Sequence, residues 1–177
     1  MFNFPVAAGT SGHLLGGVLA GFLLGPWAGS VVMATVIGIQ ALLFQDGGLL
    51  ALGANIFNMG VIGTLGGTLV ARGIAATFGN GRRSTLFGVG VAAWLSVMAA
   101  AGFTTLQLGL SGTTDISIGL PAMLGTHALI GLGEAAQDPV HSRIGCKRWC
   151  RRSRVGRLGI IHEQHAIAIT NPLHPMG

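Results

Sequence analysis

From Trp27 to Phe44 the chain runs for 18 residues without a charged side chain. A helix crossing the hydrocarbon core of a bilayer needs about 20 apolar residues, so this stretch is close to a membrane span as it stands. Further apolar segments cover residues 14–24, a stretch from the weakly polar Asn55 and Asn58 to about Ala71, residues 86–108 and residues 120–136. Only 8% of the 177 residues are charged, against about a quarter in soluble domains. That is too little charge to clothe a globule, and lipid is the expected solvent. The expected fold is an all-α polytopic transmembrane bundle with about five hydrophobic segments. The first of these, 14–24, gives only about 16 Å of helix at about 1.5 Å per residue. It needs its flanks, or a partly buried entry at its N-terminal end, to complete a crossing.

The net charge of +5 is not spread over the chain. In residues 1–136, Arg72, Arg82 and Arg83 balance Asp46, Asp115 and Glu134. In residues 137–177, seven Arg or Lys face Asp138 and Glu163, leaving +5. We therefore expect a transmembrane domain over 1–136 and a basic, disordered tail over 137–177. If the segments alternate, the loops near 25, 72–83 and 137 onward share a side and hold every Arg and Lys. By the positive-inside rule that side is cytoplasmic, placing His13, Asp46 and Asp115 toward the outside. The opening Met1-Phe2-Asn3-Phe4-Pro5 carries no basic residue and does not read as a cleavable signal peptide.

Glycines recur every four residues at 17, 21 and 25, and again at 63 and 67. That spacing lines one helix face with small residues, for packing inside one bundle or for presenting a smooth face to a partner subunit. Polar groups within such a chain need a reason. The Gly9-Thr10-Ser11-Gly12-His13 run, flexible and just ahead of an apolar helix, can aim an imidazole into a cavity. Imidazole suits Co, Ni, Cu and Zn, although a lone His is also a common hydrogen-bonded structural residue. His127 and Glu134 fall on roughly one helix face and read as a structural hydrogen-bond network. No Walker-type GxxxxGK[ST] sequence is present, and we expect no catalytic residues: the chain is not read as an enzyme.

Several blocks together are more specific than any one of them: Gly9-Thr-Ser-Gly-His-Leu-Leu-Gly-Gly17, Leu23-Leu-Gly-Pro-Trp27, Gln40 to Gly48, Leu52-Gly-Ala-Asn-Ile-Phe-Asn-Met59, and Leu120 to Ala135 with its Thr126-His127 and Glu134. In this order they resemble the M component of energy-coupling-factor cobalt/nickel transporters, the CbiM/NikM family, over residues 1 to about 136. The resemblance implies a multi-pass protein of the bacterial inner membrane that captures Co²⁺ or Ni²⁺ as transported substrate, with no intrinsic cofactor. Uptake would supply cobalamin synthesis or nickel enzymes. The implied partners are a transmembrane coupling subunit, cytoplasmic ATPase subunits and, in cobalt systems, a small accessory membrane subunit. In the family an amino-terminal Met-His segment holds the ion through backbone nitrogens and an imidazole, and the His of the Ser-Gly-His block completes the set. That His maps onto His13. Nitrogen-rich, near-planar ligation favours Ni²⁺ and its neighbours by geometry. Asp46, Asn55 and Asn58, on the same expected side, are candidates to orient His13 or an ion-bound water; Asp and Asn near helix starts also cap backbone amides.

Two departures from the family pattern stand out. Met1-Phe2 is not Met-His, so three of the expected metal contacts have no counterpart, and the chain reads as starting partway through the pattern. After Ala135 the family continues into another apolar helix, whereas here a basic run follows, with seven cations between Arg143 and Arg157. An abrupt change of that kind is what a shifted reading frame produces. The alternative reading is therefore a truncated membrane protein fragment that inserts without transporting. The basic tail itself suits anionic lipid headgroups. With Trp149 its lone aromatic, it does not read as a nucleic-acid module, and Cys146, Cys150, His162 and His165 are too irregularly spaced for a convincing zinc site.

Overall fold

The computed structural model describes residues 3–6, 10–13, 16–44, 47–79 and 81–142. Asp46 and the tail beyond 142, with its cysteines and basic run, lie outside the described residues. The protein is an all-α helical bundle preceded by a short antiparallel hairpin, β1 (Asn3–Val6) with β2 (Thr10–His13). Five helices follow: α1 (Gly17–Leu24), α2 (Pro26–Leu43), α3 (Leu52–Thr77), α4 (Arg82–Leu110) and α5 (Ile116–Ser142). The last four are long and apolar enough to cross a membrane.

Local chemistry sets the boundaries. Gly25, at φ 99°, ends α1 and donates its N–H to Gly21 O at 2.9 Å; Pro26 then opens α2 at the first position, where its missing N–H costs nothing. Asp115 starts α5 by accepting from the backbone N–H and hydroxyl of Ser117 at 2.8 and 2.7 Å. These bonds to the charged form hold its exposed carboxyl below the usual range. Arg82 and Arg83 do not sit in a loop, as the basic character of 80–83 suggested. They form the exposed first turn of α4, capped at Gly81. Likewise α5 begins before Leu120 and runs past Ala136 to Ser142, because helix bounds follow hydrogen bonding while hydropathy alone marks the apolar centre.

Gly17, Gly21 and Gly67 face inward against neighbouring helices of the same chain. A β-carbon on Gly17 would come within 2.9 Å of Thr64 Oγ1, and one on Gly21 would collide with the Thr68 hydroxyl. The matched steps, 17 to 21 and 64 to 68, show α1 and α3 lying side by side in the same direction. Gly88 brings the start of α4 against Ala71 and Ala75 near the end of α3, and Gly90 brings it against Ala135 and Pro139 near the end of α5. Helix α4 therefore runs antiparallel to both α3 and α5, and the helix ends bearing Arg72, Arg82 and Arg83 fall together. Large apolar side chains such as Trp27, Leu43, Phe87 and Leu129 point outward, the surface a bilayer would cover. This is a multi-pass membrane protein.

The middle of α3, Ile56–Gly66, is a π-helix. Its wider turn is echoed by the Thr64 hydroxyl, which donates to Met59 O five residues back at 3.0 Å. Segments of this kind are uncommon and concentrate at functional places. Here the π-helical stretch is where α1 rests.

Candidate functional site

The first helix is the exception in the bundle. At eight residues it is about 12 Å long, less than half a bilayer, so one of its ends falls within the membrane. That end is the N-terminal one. The N–H of Gly16, just ahead of α1, donates to Glu134 Oε1 at 3.3 Å, and the backbone of Leu19 donates toward the Asp138 carboxyl. The first amides of any helix lack intrahelical acceptors, and in hydrocarbon each unsatisfied group is costly. Glu134 and Asp138, one turn apart on α5, supply acceptors where water cannot. Glu134 is 1% exposed. The negative side chains also oppose the positive end of the α1 dipole.

Ahead of this terminus in the chain lies the hairpin that carries His13. The strands pair with Asn3 opposite His13 and Val6 opposite Thr10, so His13 stands at the open end of the hairpin, next to Asn3. Three peptide units separate it from Gly16, at most about 11 Å of chain. The Ser-Gly-His block thus ends within about 11 Å of chain from the inner terminus of a half-helix. In transporters such termini typically line substrate sites near mid-membrane.

The other candidate residues fall elsewhere. Asn55 lies at the start of α3 and donates to Gly47 O at 3.5 Å, a long and exposed bond. Asn58 is 2% exposed. Both of its amide hydrogens are engaged on α4, with Thr104 Oγ1 at 2.9 Å and Gln107 Oε1 at 2.8 Å. Its carbonyl accepts from Gln107 Nε2 at 3.3 Å. The pair forms a closed staple between α3 and α4, leaving no amide hydrogen with which to orient another group. His127 is buried and tied by Nδ1 to Met123 O at 2.9 Å, as a packed helix histidine should be. Among the described residues, no three His, Cys, Asp or Glu side chains gather as a metal-ion set.

Sequence reading missed the contact of Glu134 with Gly16, which spans 118 residues of chain. The available signal was a carboxylate in an apolar segment, combined with an entry helix too short to cross. Asp138 and Ser142 were missed because they lie past the change in composition, yet they are the next members of Glu134's four-residue series.

Residues 1–137 match the family model described as CbiM, cobalt uptake substrate-specific transmembrane region. The chain belongs to this family. A chain named NikMN in Archaeoglobus fulgidus is 42% identical over 136 residues, covering 76% of this chain and 44% of its own. The fused nickel transport protein NikMN of Rhodobacter capsulatus is 34% identical over 170 residues, covering 86% of this chain and 47% of its own. The chain thus spans about half the length of these CbiM-family relatives. A transition metal transporter of known crystal structure is similar at a TM-score of 0.71 and 30% identity, over 97% of this chain and 76% of that one.

Proposed function

We propose that this CbiM-family chain is the membrane component of a cobalt/nickel uptake transporter, with Co²⁺ or Ni²⁺ as its substrate. The observation that carries the reading is the hairpin that sets His13 three residues ahead of the buried start of α1. His13 is the metal-contacting residue, through its imidazole. Asp46, Asn55 and Asn58 are weaker candidates for ordering the site around it. Of these, Asn58 has its amide hydrogens already committed to α4. Residues 1–136 form the transport domain and residues 137–177 a basic appendage. The chain works with a transmembrane coupling subunit and cytoplasmic ATPase subunits, since its own sequence has no nucleotide-binding loop.

Ligand arithmetic sets the expected affinity. One imidazole provides a fraction of the binding of a four-nitrogen set, and His13 is the one ligand assigned in this reading. Calorimetric titration of the detergent-solubilised chain with Ni²⁺ and Co²⁺ should therefore show weak binding, abolished in His13→Ala. Appending a Met-His segment to the amino terminus should strengthen it, and His13→Ala should weaken that form again. Tight binding that survives His13→Ala would overturn the assignment.

A further inference from the structure

Arg72, Arg82 and Arg83 are the only Arg or Lys among the described residues, and all three are exposed. None of them makes a hydrogen bond or an ion pair among the described residues. The described acids are placed elsewhere. Asp115 starts α5, beyond the far end of α4, and Glu134 and Asp138 are buried. The first turn of α4 has no acidic residue, and Gly81 brings it no side-chain cap. Two guanidinium groups therefore stand where the helix dipole is already positive, an arrangement that raises the local potential.

The surface next to these charges is apolar. Phe87 follows Arg83 by four residues, on the same face of α4. It meets Phe78, which closes α3, edge to face with the ring centroids 6.0 Å apart. Both rings are turned outward, Phe78 at 67% and Phe87 at 59% exposure. Side chains on a helix lean toward its N-terminus. Arg83 therefore reaches past the end of α4, and the Phe87 ring covers the turn beneath it. A third cation, Arg72, lies on α3 beside the Ala71 against which Gly88 packs. Charge and phenyl surface thus occur together at one end of two membrane-spanning helices.

We propose that Arg82 and Arg83, with the Phe78–Phe87 pair, bind one anionic phospholipid. The guanidinium groups take its phosphate, which their planar forks match in geometry. An acyl chain lies against the two rings, whose outward faces need apolar cover. Free phosphate shares the first half of this chemistry and has no use for the second. Arg72 adds to the attraction from the neighbouring helix. The headgroup layer of a bilayer meets the ends of spanning helices, so the ligand is present where the residues wait for it. None of these residues is assigned to Co²⁺ or Ni²⁺, and the inference stands apart from that reading.

The test is native mass spectrometry of the full detergent-solubilised chain offered equimolar dioleoyl phosphatidylglycerol and phosphatidylcholine. The chain should retain phosphatidylglycerol in preference. Arg83→Gln should lower that preference about fivefold, the worth of one cation near a headgroup, and Arg83→Lys should keep most of it. Both changes are at an exposed position and should leave the helical circular dichroism of the parent intact. Phe87→Ala should weaken retention of the dioleoyl lipid, and glycerol 3-phosphate should not compete with it. Equal retention of the two lipids overturns the proposal. So does a loss in Lys147→Gln, which removes the same charge from the tail, as large as that in Arg83→Gln. Competition by glycerol 3-phosphate at the concentration of the lipid would assign the cations to a free phosphate instead.

Discussion

Asn58 and Glu134 are both almost wholly buried, at 2% and 1% exposure, yet their surroundings differ in kind. Asn58 is neutral and its hydrogen-bonding capacity closes on α4: two donors are engaged, and its carbonyl accepts the Gln107 amide in return. Glu134 brings a carboxyl group into the bundle and accepts from the loose start of a half-helix, one turn before Asp138, whose buried Oδ2 has no hydrogen bond. A fully satisfied polar network rigidifies and holds helices in register; a partly satisfied one carries an unmet demand. The amide staple ties two long helices together, and the acid face holds the start of the short one.

Substitutions can break this comparison. The largest effect is expected from Glu134→Leu, which removes the acceptor of the Gly16 N–H in a place water does not reach. A loss of about 3 kcal/mol in reversible unfolding from mixed micelles is expected, with Glu134→Gln recovering part of it because an amide oxygen still accepts. Asn58→Leu should cost about 2 kcal/mol, by stranding the Gln107 amide. The double change Asn58→Leu with Gln107→Leu should cost less than the sum of the single ones, because replacing both partners by apolar groups leaves nothing unpaired. Strict additivity would show that the staple is not a unit. Smallest of all is Asn55→Ala. Its hydrogen bond to Gly47 is 3.5 Å long and exposed, so a change within about 0.5 kcal/mol is expected.

Much of this architecture could be read from the residues. The 18 uncharged residues from Trp27 to Phe44 and the balanced charges of 1–136 pointed to a membrane bundle, and the four-residue glycine series marked the α1–α3 contact. The shortness of the first segment was visible too. Its residues left two readings open, completion by its flanks or a partly buried N-terminal entry, because hydropathy counts residues and is blind to depth. The acceptor of Gly16 lies 118 residues away, beyond any local pattern. The π-helical register of Ile56–Gly66 leaves no clear periodic trace, because apart from Asn58 and Thr64 the segment is apolar or glycine all round. Arg82 and Arg83 looked like loop residues because charge is common in loops, although a helix start exposed at the membrane edge accommodates them equally well. His13 was legible as chemistry; its pairing opposite Asn3 in a hairpin required the fold.

The metal itself tests the central claim most directly. Co²⁺ bound by an imidazole shifts that ring's exchangeable proton far outside the ordinary proton NMR range. Addition of Co²⁺ to the detergent-solubilised chain should produce one such shifted histidine resonance, present in His127→Gln and absent in His13→Ala. A shifted resonance that persists in His13→Ala, or disappears in His127→Gln, would contradict the assignment of the metal to the end of the hairpin.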